Sequence, residues 1–245
     1  MGGARDGVVT RRAQKRAREP VLPTPLAGRP EFLIARAAQH ETAPILLLAH
    51  GAGAPMDSPF LETMTECLRT RGVTVARFEF AYMAMRRQGS GRRPPPKMDI
   101  LAAEYRAAAA AIKTRCPSVP LFIGGKSMGG RAASLIAGDL FEQGVIAGCV
   151  CLGYPFHPAK RPESLRTAHL AELVCPALVV QGERDPLGSR GEVEGMSLST
   201  TIEFAWIGDG DHDLRPRAAS GLTHQKNLEC AADAVARYIK LAART

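Results

Sequence analysis

Apolar positions along this chain fall into two rhythms: short unbroken runs, and longer stretches where they recur every third or fourth residue. From Phe32 onward the two alternate. Residues 45–49 form a continuous apolar run that suits a buried strand, and it empties into His50-Gly51-Ala52-Gly53. Residues 60–70 carry Phe60, Met64, Cys67 and Leu68 at helical spacing, with Gly72 placed to stop the helix. Residues 73–80 read as the next strand. Residues 85–97 are polar and hold three consecutive prolines, so they predict a loop. The same alternation predicts helices over 99–116, 127–142, 163–173 and 223–243, and strands over 119–124, 145–152, 177–181 and 201–207. Such a pattern predicts an α/β fold, a mostly parallel sheet with helices on both faces. It forms a single domain over 25–245, after a basic tail, 1–24, expected to be disordered.

Composition narrows the class. Hydrophobic residues make up 45% and charged residues 23%, the balance of a globular chain in water. No apolar run approaches the roughly 18 residues that span a bilayer, and charges stand where a secretory signal needs its apolar stretch. Six cysteines lack metal-ligand or CxxC spacing, and several fall in segments predicted to be buried. The expected location is therefore cytoplasmic. The net charge of +8 invites a nucleic-acid reading, but residues 1–20 alone supply half of it, with six basic and two acidic side chains. Aromatics are only 5% and none interleaves that run, so stacking on bases is not expected. The partner expected is a small-molecule or acylated substrate, with the basic tail a candidate contact for a protein and no membrane involved. No cofactor motif or metal cluster is present in the sequence, so neither a cofactor nor a metal is predicted.

Chemistry concentrates in four short segments. Gly125-Lys126-Ser127-Met128-Gly129 matches G-x-S-x-G, with a predicted strand before it and a predicted helix after it. That context suits a nucleophile elbow, where a tight turn lifts a serine above the sheet edge. A serine hydroxyl needs a base to take its proton and a third group to orient the base. His212 lies in Gly208-Asp209-Gly210-Asp211-His212-Asp213, just after the last predicted strand, and Asp185 lies in Gly182-Glu183-Arg184-Asp185-Pro186, just after the one before. His169 and His224 fall in or at predicted helices, and His157 precedes the best acid. Ser127, Asp185 and His212 are therefore the candidate triad. The backbone N–H groups of Met128 and Ala52, with Gly53 second to Ala52, are the candidate oxyanion donors. Arg86 and Arg87 open a basic loop that leaves the same sheet edge, and they are candidates for holding a substrate carboxylate or phosphate.

These segments, with Gly124 to Arg131 and Gly153-Tyr154-Pro155-Phe156-His157-Pro158, resemble one branch of the α/β-hydrolase superfamily. That branch contains the third subunit of the NSL histone-acetyltransferase complex, its testis-expressed relative and small bacterial predicted hydrolases. The resemblance runs over residues 42–240 and implies the α/β-hydrolase fold with an intact triad, but no substrate. The stretch 152–173 is too short for a large cap domain, so an open site is expected. Two function classes follow. One is a serine hydrolase of a carboxylic ester, thioester or amide; the other is a protein-interaction scaffold with little or no catalysis. A full set of three triad residues favours the first.

Overall fold

A computed structural model describes residues 31–89, 91 and 94–243. The tail expected over 1–24 and two arginines of the basic loop, Arg92 and Arg93, lie outside the described residues. The strands are β1 (Phe32–Ala35), β2 (Ile45–Ala49), β3 (Thr74–Phe78), β4 (Leu121–Lys126), β5 (Gly148–Leu152), β6 (Ala177–Gly182) and β7 (Ile202–Ile207). The helices are α1 (Pro59–Thr70), α2 (Ala81–Arg87), α3 (Met98–Arg115), α4 (Met128–Glu142), the single turns α5 (Ala168–Ala171) and α6 (Arg190–Val193), and α7 (His224–Ala242). One sheet runs β1-β3-β2-β4-β5-β6-β7, parallel throughout except for β1, which pairs antiparallel with β3.

The two-residue period of the strands divides the core. Along β2, Ile45, Leu47 and Ala49 face one layer while Leu46 and Leu48 face the other. The first layer holds α3 and α4, the second α1 and α7. Leu46, Leu47 and Leu48 are fully buried. Truncating any one of them to alanine removes transfer energy and leaves a cavity, a cost of about 2–5 kcal/mol.

Three sequence expectations change. Strand β1 is an addition to the expected strands: its run Phe32-Leu33-Ile34-Ala35 is apolar but only four residues long, and backbone pairing to β3 makes it an edge strand. The loop expected over 85–97 begins late. Helix α2 occupies its first residues, since Tyr82 and Met83 bury against the core and the Glu104 carboxylate caps the Ala81 N–H at 2.8 Å. The helix expected over 163–173 shrinks to α5, of which only Leu170 is buried. Between β5 and β6 no further helix intervenes, so nothing there covers the sheet edge as a cap domain would.

Among the described residues, no helix is long and apolar enough to cross a membrane, and no group of His, Cys, Asp or Glu is arranged to hold a metal ion.

Candidate active site

The C-terminal ends of β4, β6 and β7 deliver the three side chains singled out in the sequence to one place. Ser127 follows β4, Asp185 lies just past β6, and His212 lies in the loop after β7. The Asp185 carboxylate is fully buried. Its Oδ2 lies 2.8 Å from His212 Nδ1, and His212 Nε2 lies 2.9 Å from Ser127 Oγ. An ionised carboxylate only accepts, so Nδ1 carries the imidazole proton and the Nε2 lone pair faces the serine hydroxyl. In that state Ser127 donates to His212, the arrangement a general base requires.

Asp185 is held by more than the histidine. Gln181, also fully buried, donates to Asp185 Oδ2 at 2.9 Å, while the Leu187 N–H donates to Oδ1 at 2.8 Å. The same Gln181 accepts from the Tyr154 N–H at 2.7 Å, which fixes the orientation of its amide. The His212 loop is braced from both ends by Asn227 of α7, whose Nδ2 donates to Gly208 O at 3.1 Å and to Leu214 O at 2.9 Å. The neighbouring aspartates cap this loop: Asp211 accepts from the backbone of Asp213 and Arg215, and Asp209 from Arg217. The bonds from Arg217 hold the Asp209 carboxyl at about 2, well below the usual range.

Ser127 sits at the elbow with φ 52°, a left-handed conformation that costs a non-glycine residue strain. The close packing around the turn depends on Gly125 and Gly129. A Cβ on Gly125 would lie 2.6 Å from Ala49 O, and one on Gly129 would lie 2.5 Å from the same atom. Met128 opens α4, where the first N–H groups of a helix have no partner within it.

The loop after β2 is pinned by a histidine. His50, fully buried, accepts from the Phe80 N–H at Nε2 (3.1 Å), so its Nδ1 donates to Gly51 O at 2.7 Å. Burial pushes its imidazole below the ordinary value, which keeps it neutral and suited to both roles. Because the peptide is trans, fixing Gly51 O also fixes the opposite direction for the Ala52 N–H. The Tyr82 hydroxyl then holds Ala52 O at 3.0 Å. His50 and Tyr82 are positioning groups that the sequence did not disclose.

A cleft of about 530 Å³ opens over Ser127 and His212, lined also by Ala52, Phe60, Lys126 and Arg215. A larger cavity of about 680 Å³ lies near the other end of the early strands, by Ile34, Thr74 and Val119, and contains none of the triad. In the cleft Lys126 stands out. Its side chain is nearly buried, passes over the Phe60 ring, and donates to His212 O at 2.6 Å, with Asp213 Oδ1 at 3.3 Å. Burial lowers the ammonium below its usual range, while Asp213 and Asp185 act in the opposite sense.

The arginine expectation needs correction at Arg87. Arg87 is clamped between carboxylates, bonding to both oxygens of Asp57 at 2.9 Å and to Glu79 at 2.9 and 3.0 Å. Its charge is already spent on two acids. Neither Arg86 nor Arg87 lines the cleft.

A second serine–histidine contact, Ser134 Oγ to His169 Nε2 at 2.9 Å, has a different polarity. The single Ser134 proton goes to Arg131 O at 3.0 Å, so His169 donates to Ser134 rather than accepting from it.

The sequence profile of the alpha/beta hydrolase domain matches residues 42–240. Among solved structures, dienelactone hydrolase from Anabaena variabilis superposes with a TM-score of 0.69 at 18% identity, covering 91% of this chain and 97% of that one. Est1E from Butyrivibrio proteoclasticus gives 0.66 at 13% identity, over 92% and 99% of the two chains. A Xanthomonas campestris α/β serine hydrolase described as lacking a lid gives 0.63 at 19%, over 89% and 96%. At such identities the likeness is one of fold.

Proposed function

This chain belongs to the alpha/beta hydrolase domain family, and from that premise we propose that it is a serine hydrolase acting on a carboxylic ester, thioester or amide. The observation that carries the reading is the unbroken chain from Asp185 through His212 to Ser127, with both links under 3 Å and the carboxylate fully buried. Within it, Ser127 Oγ attacks the substrate carbonyl carbon as its proton passes to His212 Nε2. Asp185 stabilises the imidazolium so formed. The N–H groups of Met128 and Ala52 face the oxyanion, each such donor contributing roughly 3–4 kcal/mol to the transition state. The tetrahedral intermediate collapses, and the leaving alcohol, thiol or amine takes its proton from His212. Water, deprotonated by His212, then releases the acid and restores Ser127.

The uncovered sheet edge suits a substrate that can be presented without a closing cap. That three of the similar folds are a dienelactone hydrolase, a protein also solved with ferulic acid bound, and a lidless serine hydrolase agrees with hydrolysis of a small carboxylic ester. On its motifs we place the chain in the branch with the NSL third subunit and its testis-expressed relative. The buried Cys149, Cys151 and Cys175 serve as core residues, a use that a reducing cytoplasm suits.

The test is fluorophosphonate labelling of the purified protein beside p-nitrophenyl esters of increasing acyl length. Labelling confined to Ser127, with ester turnover that disappears in Ser127→Ala, is the expected result. A folded protein that neither labels nor turns over any ester leaves the scaffold reading in its place.

A further inference from the structure

We propose that Arg131 and Arg166 form an anion-binding subsite beside Ser127 that holds a carboxylate carried by the substrate. The inference rests on the hydrolase reading and names the substrate class for the same site.

Arg131 lies in the first turn of α4, its N–H donating to Ser127 O at 3.0 Å. Four residues of helix separate its backbone from that of the nucleophile by ~6 Å along the axis. Neither Arg131 nor Arg166 lines the cleft over Ser127 itself, so the anion they hold is the far end of the substrate. Its Nε is buried and has no hydrogen-bond partner among the described residues. Folded proteins rarely leave such a donor unpaired, and a missing ion or ligand is one of the usual reasons. Arg166 comes from the loop after β5 and is fastened there by its backbone. Its N–H donates to Phe156 O at 2.7 Å, and the Tyr154 hydroxyl donates to its carbonyl at 2.8 Å.

The electrostatics around the pair are one-sided. Burial lowers the Arg166 guanidinium from its usual range, and the positive charges of Arg131 and Arg161 lower it further. His169, half-buried beside Arg131, is pushed down to about 4 by partial burial and that charge and stays neutral. Three other arginines do have acids: Arg87 has Asp57 and Glu79, and Arg184 and Arg217 share Asp209. Among the described residues no carboxylate pairs with Arg131 or Arg166. Gathering guanidinium groups without a counter-charge is unfavourable unless something else supplies it. A carboxylate matches the two-pronged face of a guanidinium, which is why arginine rather than lysine suits the task. A free phosphate shares that chemistry, but the closeness to Ser127 favours an anion on the substrate itself.

The experiment uses the full chain and a pair of six-carbon methyl esters, monomethyl adipate and methyl hexanoate, followed by pH-stat at matched ionic strength. The parent protein is expected to favour the half-ester in kcat/KM by tenfold or more. Arg131→Gln and Arg166→Gln should each cut that ratio at least tenfold, and Arg87→Gln should keep it. Inorganic phosphate should inhibit the half-ester competitively, and should raise the Tm of the parent but not of Arg166→Gln. Phosphate that binds at the arginines and slows both esters equally, without competing, would point to a free effector and overturn the substrate assignment. Equal kcat/KM for the two esters, or a ratio indifferent to both glutamine variants in proteins with native circular dichroism, would also overturn it. Failure of the hydrolase reading looks different: neither ester turns over and Ser127 does not label. The phosphate shift in Tm then decides the subsite alone, and its absence rejects it.

Discussion

Two groups of arginines flank the candidate nucleophile, and they differ in everything except charge. On one side Arg87 leaves α2 and makes four bonds to Asp57 and Glu79, which hold its guanidinium well above the usual range. On the other, Arg131 and Arg166 have no acid among the described residues and repel one another, and burial weakens the hold of Arg166 on its proton. The first group sits in a run dense with basic residues, which is why the sequence points to it. Folding brings two carboxylates to Arg87 and takes up the charge of that guanidinium. The second group is assembled from a helix and a distant loop, so no local density announces it. Free positive charge is a property of pairing in three dimensions, and a count of basic residues in a window does not measure it.

The largest test asks whether a working nucleophile lies between the two groups at all. Ser127→Ala and His212→Ala should each lower kcat by about 10⁴ or more, and Asp185→Asn should come close by leaving the imidazole in the wrong tautomer. Ser134→Ala should keep ester turnover, because its hydroxyl is bonded to Arg131 O and receives a bond from His169. Turnover that survives Ser127→Ala and vanishes in Ser134→Ala would move the reaction to the Arg131 side and dissolve the comparison.

Lys126 supplies an intermediate case, a buried cation whose partners are the His212 carbonyl and Asp213. Lys126→Met should free the loop that carries His212. Small misplacements of a base cost around 10²-fold, so the expected loss is of that order, in kcat more than in KM, with part restored by Lys126→Arg. Single-turnover kinetics separates the two parameters. A rise in KM with unchanged kcat would make Lys126 a substrate contact instead.

Much of this architecture is written in hydrophobic rhythm. The runs that became β2, β4, β5 and β6 are buried throughout because both faces of a parallel sheet are covered, and the spacing in α1 and α7 follows the single face each buries. The three triad candidates were legible for a related reason: each follows a strand, and open α/β sheets hold their sites at the strands' C-terminal ends. Edge strand β1 and helix α2 were not, since backbone pairing shapes one and two buried side chains with a borrowed cap from Glu104 shape the other. The polar supports escaped for a third reason. Gln181 bonds to Asp185, His50 to the Phe80 backbone and Lys126 to the His212 carbonyl, and each contact depends on chain segments that meet only after folding. No residue pattern carries that information.

Stability distinguishes the arginine groups without any substrate. Arg87→Ala takes both guanidinium bonds from the Glu79 side chain, only 6% exposed, and leaves it the Met56 N–H at 3.2 Å. An exposed ion pair is worth about 0–1 kcal/mol, but stranding a buried acceptor adds about 1–3. At roughly 2–4 °C per kcal/mol for a chain of this size, the Tm should fall by several degrees in calorimetry. Arg166→Ala removes a cation that only repels its neighbours, so it should leave the Tm unchanged or raise it. Equal losses in the two variants would mean that the Arg166 charge is compensated after all.

The smallest effect lies in acid, at a histidine that touches the unpaired side. His169 donates to Ser134 and faces Arg131, and burial followed by that charge lowers it from 6.5 to about 4. The unfolded chain has neither influence and takes up the proton near 6.5. Between these values the unfolded state binds more protons than the folded one, so stability falls as the pH drops from 6.5 toward 4. His50 is lowered by burial as well, and several paired carboxylates weaken in the same direction, so the slope of the parent protein alone is not diagnostic. The difference between parent and His169→Gln isolates the one imidazole, and the parent should lose more Tm over that window. An anion held by Arg131 and Arg166 would offset the charge that faces His169 and let it protonate more readily while folded. Inorganic phosphate, against chloride of equal ionic strength, should therefore narrow the gap between parent and variant. A gap that phosphate leaves unchanged would mean that no anion settles beside Arg131. Identical pH slopes in parent and variant would remove the unpaired charge itself, and with it the contrast to Arg87.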